Sequence, residues 1–209
     1  MVLKNDFDSV FESRRSIRKY DSAVKISWDK MEQILNEAML APSSFNMQPC
    51  RFVVVETTEM REKIKPYIQF NQSQNDTASF MLFLLGDYNC FDNSETIFQT
   101  SVDKGYMPKE VMEQQMKMLT PYYNQVSQQS LKERILLDAG IISMNLMLAA
   151  KNHGYDTCPM GGFDKENILK VLGLDEERYF PILMLSIGKA DETGYKSYRL
   201  PAKELSFWR

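Results

Sequence analysis

Residues 130–152 read SLKERILLDAGIISMNLMLAAKN, and where this stretch is buried decides the fold. Ser130 and Glu133 make the Ser-x-x-Glu pattern of a helix start, and Gly154 is placed to stop the helix after Asn152. At a period of 3.6, Ile135, Leu136, Ala139, Ile142, Leu146 and Ala149 form one apolar stripe, while Leu137, Ile141, Met144, Met147 and Leu148 cover much of the rest. In a chain of 209 residues, a helix apolar on most faces belongs either at the centre of the domain or at the seam with a second subunit.

Outward from this helix lie short, very apolar segments. RFVVV at 51–55, FMLFLLG at 80–86 and FPILMLSIG at 180–188 read as buried strands. Residues 27–40 read as a helix capped by Ser27, with Met31, Ile34, Leu35, Ala38 and Met39 at helical spacing before Pro42, and another helix is expected from Thr58. The alternation predicts an α+β or α/β layer, a mixed sheet covered by helices. Nothing resembles a Pro/Gly/Ser linker, so the expectation is one domain over 1–209, with about 92–130 as a helical excursion and 189–209 as an extended tail.

Composition narrows the function classes. Lys+Arg 25 against Asp+Glu 28 gives a net charge of −3, and the one dense basic run is RRSIRKY at 14–20, too little for a nucleic-acid footprint. A small anion suits it better. The opening MVLKNDFDSVFESRR holds acids and no apolar core of a leader, and no uninterrupted apolar run of membrane length follows, so a soluble, unprocessed, cytoplasmic protein is expected. Cys50, Cys90 and Cys158 are too few and too scattered for a disulfide framework. With one histidine and no ligand cluster, no protein-built metal site is expected.

Three more stretches offer binding chemistry. APSSFNMQP at 41–49 sets Ser43, Ser44, Asn46 and Gln48 between two prolines, a hydrogen-bonding loop where a helix gives way to a strand. PMGGFD at 159–164 puts Gly161 and Gly162 ahead of Asp164, a candidate helix cap, so backbone could approach a flat ligand with no Cβ in the way. YKSYRLP at 195–201 adds Lys196 and Arg199, a second cationic cluster far along the chain.

Taken in order, RRSIRKY, APSSFNMQP leading to a strand, the long helix leading to PMGGFD, and a strand leading to YRLP, the chain resembles the FMN-dependent nitroreductase family over about residues 8–201. The resemblance implies a nitroreductase-like fold whose long helix lies at a homodimer interface, with FMN sites shared between subunits. It implies that Arg14, Ser16, Lys196 and Arg199 hold the FMN phosphate, that Arg15 lines the cofactor, and that Arg18 reaches the pyrimidine side of the ring. Pro42, Ser43, Ser44 and Asn46 would meet the flavin of the other subunit. Asn71 would bond the ring, Gln74 would lie near it, and Pro159, Met160, Gly161 and Gly162 would run along it. Lys19 matches no position in the family and is expected to be surface. The chain departs from the family's pattern at Gln74, where many members have lysine, at Gly161, where many have an acid, and at Cys50, where many have an aromatic residue.

The activity implied is hydride transfer from NAD(P)H to FMN, then two electrons to a nitroaromatic, quinone or similar small acceptor in ping-pong turnover, with no protein catalytic residue beyond the flavin. Within 92–130, Phe98, Tyr106, Tyr122 and Tyr123 could stack on a planar substrate, Tyr122 and Tyr123 foremost. The alternatives are other flavin chemistry of the same superfamily, such as reductive dehalogenation or flavin destruction, and a non-catalytic flavin-binding sensor.

Overall fold

The computed structural model describes residues 7–209, so the first six residues, part of the opening stretch and of the domain expected over 1–209, lie outside the described residues. Four strands, β1 (Cys50–Val55), β2 (Phe80–Asp87), β3 (Asp156–Met160) and β4 (Tyr179–Gly188), form one sheet in the order β1-β2-β4-β3. All three pairings are antiparallel. The sheet expected to be mixed is therefore antiparallel in its strand pairs, and parallel geometry is confined to the Ser16–Thr157 bridge. Every residue of β2 is buried, as befits a central strand covered on both faces. The β2–β4 register shifts between Leu84 and Leu85, beside Pro181, which has no N–H to give to a ladder. Strand β3, unanticipated from the sequence, tolerates Pro159 because it is an edge strand.

The helices are α1 (Phe7–Ser13), α2 (Trp28–Ala38), α3 (Thr58–Ile64), α4 (Gln72–Thr77), α5 (Ser94–Asp103), α6 (Lys109–Gln125), α7 (Gln128–Asn152), α8 (Ile168–Leu172) and α9 (Ala202–Leu205). The Ser27 hydroxyl caps α2 as expected, accepting from the Lys30 amide. The long helix α7 begins earlier than Ser130: Ser127, extended after the end of α6, accepts from the Ser130 amide at 3.2 Å. Glu133 does not reach back to a cap; it accepts from Gln129 Nε2 at 2.8 Å. At the other end the Gly154 and Tyr155 amides donate to the Lys151 and Ala150 carbonyls, the paired closure that an αL glycine permits.

Helices α2 and α7 cover one face of the sheet, where Ile34, Ala38, Leu82, Leu84, Leu146 and Leu185 pack together. The opposite face buries Ile17, Tyr20, Ile64, Ile68, Phe83 and Met184 beneath α3, α4 and α8. A third cluster joins Phe98 and Leu119 of the excursion to Ile135 and Phe180. Only one side of α7 is enclosed. Leu137 is 72% exposed, and Ile141, Met144 and Leu148 line an apolar groove of about 920 Å³ with Leu40 and Pro42. Of the two places expected for this helix, the domain centre accounts for one side only; among the described residues the other side is open within one chain. By length and composition it could cross a membrane, although charged and polar residues interrupt its apolar run, yet its buried stripe packs on α2 and β2 like any core helix.

Candidate functional site

The cationic stretch leaves α1 and is pinned by alternate anchors. The Ile17 amide donates to the Thr157 carbonyl of β3 at 3.1 Å, Tyr20 bridges Ala190, and the Tyr20 hydroxyl lies 2.7 Å from Ser186 Oγ inside the core. With Ile17 and Tyr20 buried, the polar residues between them face outward. The tail after β4 then crosses this stretch at Gly194, where a Cβ would stand 2.8 Å from Arg15 Cβ and 3.0 Å from Ile17 Cδ1. That close approach brings Tyr195, Lys196, Ser197 and Arg199 against Phe11, Arg14, Arg15, Ser16 and Arg18 around a cavity of about 480 Å³. No sequence signal marked Gly194, since a lone glycine in a polar tail reads as an ordinary turn.

Five cations line this cavity, and among the described residues none of them has an ion-pair partner. Arg15 Nη1 donates to the Glu12 and Arg14 carbonyls, and Arg199 Nη1 to the Tyr198 carbonyl, so both side chains are steadied without losing charge. Nearby acids are spent elsewhere: Asp191 pairs with Lys19 at 2.6 Å, and Glu192 accepts from the Arg18 and Lys19 amides. Lys19 thus keeps to the surface. Like charges gathered this closely repel, and an anion in the cavity relieves them.

Arg18 links the cavity to a second group of predicted residues. Its carbonyl accepts from Ser73 Oγ at 3.0 Å, next to Gln74 on α4. Gln74 is buried, and its side chain bonds Cys158 of β3. Burial pushes the Cys158 thiol up, against the opposing pull of Arg18 and of that bond. Asn71 Nδ2 donates to the Gly162 carbonyl at 2.8 Å and to the Ile68 carbonyl at 3.1 Å, tying the double glycine to the start of α4. Open space lies where the Cβ atoms of Gly161 and Gly162 would be. The Met160 side chain is buried in the core, so only its backbone and half-buried Pro159 can border a ligand there. Asp164, expected to cap the following helix, accepts from the Glu166 and Asn167 amides and caps the turn that leads into α8.

Pro42, Ser43, Ser44 and Asn46 are not brought to this cavity. Pro42 lines the apolar groove, which shares no lining residue with the cationic cavity; Val10 of α1 faces the former and Phe11 the latter. The loop is held from behind by Asp138, a buried carboxylate on α7 that accepts from the Ser44 amide at 3.0 and 3.1 Å and from Ser44 Oγ at 3.0 Å. Phe45, Asn46 and Gln48 take φ values of 55°, 59° and 48°, the left-handed region that non-glycine residues avoid. Of the excursion's aromatics, Phe98 is core and Tyr106 is exposed, while Tyr123 stacks on Phe91 at 4.5 Å and Tyr122 packs edge-on against Tyr123. Sequence reading missed Asp138, although a carboxylate amid an apolar helix was its signal. It also missed buried Asp87 at the end of β2, paired with Arg51 at 2.8 Å and Arg178 at 2.9 Å.

Comparison with known proteins identifies the family of this fold. The model of the nitroreductase family matches residues 11–189, from within α1 to just past the end of β4. A candidate NAD(P)H nitroreductase of Bacillus subtilis (strain 168), YdgI, is 49% identical over the full length of both chains. The CLA biosynthesis enone reductase of Lactiplantibacillus plantarum is 34% identical over 97% of this chain and 94% of its own. A crystal structure of a candidate nitroreductase in complex with FMN, from Exiguobacterium sibiricum 255-15, superposes with a TM-score of 0.95 at 46% identity, covering 98% of each chain. With fold, chain order and nearly the whole length in common, the chain belongs to the nitroreductase family.

Proposed function

We propose that the protein is a homodimeric FMN-dependent oxidoreductase that uses NAD(P)H to reduce nitroaromatics, quinones or similar small acceptors, built as a single domain over 1–209. The observation that carries the reading is the cavity lined by five cations that have no acidic partner among the described residues, assembled from both ends of the described chain. FMN as the anion is supported by the Exiguobacterium sibiricum structure, which contains it.

The residues present suit that ligand. The guanidinium forks of Arg14 and Arg199, the Lys196 ammonium and the Ser16 hydroxyl are donors of the kind that hold a phosphate, with Arg15 beside them. When bound, FMN supplies the redox chemistry, taking hydride from the nicotinamide and passing two electrons to the acceptor. The chain itself binds, orients and excludes water. Arg18 sets a fixed positive charge between the phosphate donors and β3, where it would favour negative charge on a ring lying there. Asn71 has its Nδ2 committed to backbone carbonyls, which leaves its Oδ1 to accept from a ring N–H. Gln74 carries no charge and faces Cys158, so it would contribute packing to that edge where many relatives would contribute a cation. Gly161 and Gly162 keep side chains out of the approach.

The dimer reading rests on the open apolar groove along α7 and on the separation of the 42–46 loop from the cationic cavity, which leaves that loop to serve the other subunit's site. The test is the spectrum of the purified protein. It should be yellow, release FMN on denaturation, and consume NADH or NADPH steadily with menadione or nitrofurazone. Colourless protein that takes up no FMN, or release of FAD, would refute the assignment; a yellow protein that turns over neither acceptor would be a sensor.

A further inference from the structure

Arg134, on α7, lies over two aromatic rings and beside the Tyr123 hydroxyl, with one guanidinium nitrogen left over. Its Cζ lies 4.7 Å from the centroid of the Tyr122 ring and 5.4 Å from that of Phe45. Its Nη1 is fully buried and, among the described residues, has no hydrogen-bond partner. A buried donor nitrogen left unpaired on a charged group is costly, and an acceptor supplied from outside the chain would relieve it.

The surroundings indicate which acceptor. Phe45, Tyr122, Tyr123 and Phe91 form a continuous row of rings, with successive centroids 6.3, 5.2 and 4.5 Å apart. Phe45 reaches Arg134 only because its loop is forced into left-handed backbone at Phe45, Asn46 and Gln48. Two clamps impose that shape: Asp138 holds Ser44, and Arg51, anchored on buried Asp87, donates to the Gln48 carbonyl at 2.7 Å. Backbone strain that neighbours over-determine in this way concentrates where ligands are handled. The Phe45 and Tyr122 rings are inclined at 55° with centroids 6.3 Å apart, and Phe45 is half-exposed, so its ring has room to turn. The Tyr123 hydroxyl also lies beside Arg134 and stays neutral, because burial pushes its pKa up to about 12.

We propose that Arg134, between Phe45 and Tyr122, is the subsite for the carboxylate of a planar electron acceptor, and so sets acceptor preference. A charged oxygen pairs with a desolvated guanidinium more strongly than a neutral carbonyl or amide does, and the rings supply the faces on which the rest of the molecule stacks. The inference rests on the function proposed above, in which this loop faces the flavin of the other subunit.

The experiment is calorimetric titration of the FMN-loaded protein with benzoate and with benzamide, its neutral counterpart, for the natural chain, Arg134→Met and Arg134→Lys. The natural chain should bind benzoate about tenfold more tightly than benzamide, the methionine variant should bind both within about twofold, and the lysine variant should fall between. The KM values for 4-nitrobenzoate and 4-nitrobenzamide should follow the same ratios. Equal affinity for both probes in the natural chain would overturn the proposal. So would a benzoate preference that survives Arg134→Met, which would place the anion on the Arg14 cluster, or a methionine variant altered only in subunit dissociation, which would give Nη1 to a partner carbonyl. Failure to take up FMN at all would instead refute the functional reading, since nothing in the cationic cavity depends on Arg134.

Discussion

Replacing Gly194 with alanine should loosen the anion cavity without removing any of its charges. The new Cβ would stand 2.8 Å from Arg15 Cβ and 3.0 Å from Ile17 Cδ1, and Ile17, 2% exposed, is packed into the core and cannot retreat. Carbon atoms make ordinary contact from about 3.5 Å, so the tail must withdraw by something on the order of 1 Å. Withdrawal carries Lys196 and Arg199 away from Arg14 and Ser16, and losing one charge-assisted hydrogen bond costs roughly 1.5–3 kcal/mol, or about 10- to 100-fold in affinity. A second cost, roughly 1–2 kcal/mol of stability, comes from placing an L-residue at φ +67°. Gly173→Ala separates the two, because Gly173 has φ +71° but nothing near its Cβ position. Both variants should lose melting temperature to a similar degree, while only Gly194→Ala should weaken FMN binding, measured by quenching of flavin fluorescence. If Gly194→Ala binds FMN as tightly as the natural chain, the tail does not close the cavity and the reasoning fails.

The charge assignments predict that Arg14→Ala with Arg199→Ala weakens FMN binding by roughly 1.5–3 kcal/mol per lost hydrogen bond, while Lys19→Ala, which removes only the exposed pair with Asp191, leaves it near the natural value; equal losses at all three sites would refute the convergence. Leu137→Glu adds a charge at a position already 72% exposed in one chain, so it should change the stability of an isolated chain by no more than about 0.5 kcal/mol; sedimentation should nonetheless show dissociation to monomers if α7 forms the dimer seam. Burial pushes the Cys50 and Cys90 thiols up to about 12 and about 11, so neither should react with a thiol reagent at pH 8 until the protein is unfolded, and rapid labelling of the native protein would contradict their placement. The Asp164 carboxyl is held below its usual range by bonds from Asn167 and Glu166, and a depressed pKa means stability that is present above the unfolded value of about 3.9 and lost as pH falls through the folded one; the melting temperature of Asp164→Ala should lie below the natural one at neutral pH, with the difference narrowing in acid.

Much of the scaffold was legible because its signals are local. The Ser27 cap and the 3.6 spacing of Met31, Ile34 and Ala38 define α2, and unbroken apolar runs define β2 and β4. Strand β3 escaped because DTCPM is short, polar at its start and interrupted by proline, and it becomes a strand only by pairing with β4. The start of α7 was misplaced because two serines three residues apart compete for the cap, and the preceding helix decides between them. Within the site, arginines and glycines were visible as residue types, but their meeting was readable only through the family's order of motifs. The supports could not be read at all: Asp138 under Ser44, Asp87 under Arg51 and the crossing at Gly194 are long-range contacts, and no periodicity encodes them.

The crossing of the tail over residues 14–18 also makes the anion cavity a latch between segments far apart in sequence. The last strand of the sheet ends at Gly188, whereas the cavity is lined on one side by Tyr195 to Arg199, beyond that strand, and on the other by Arg14 to Arg18, which follow α1. An anion held between them would join the two segments and oppose the peeling of either from the sheet, so its binding energy would count towards their order.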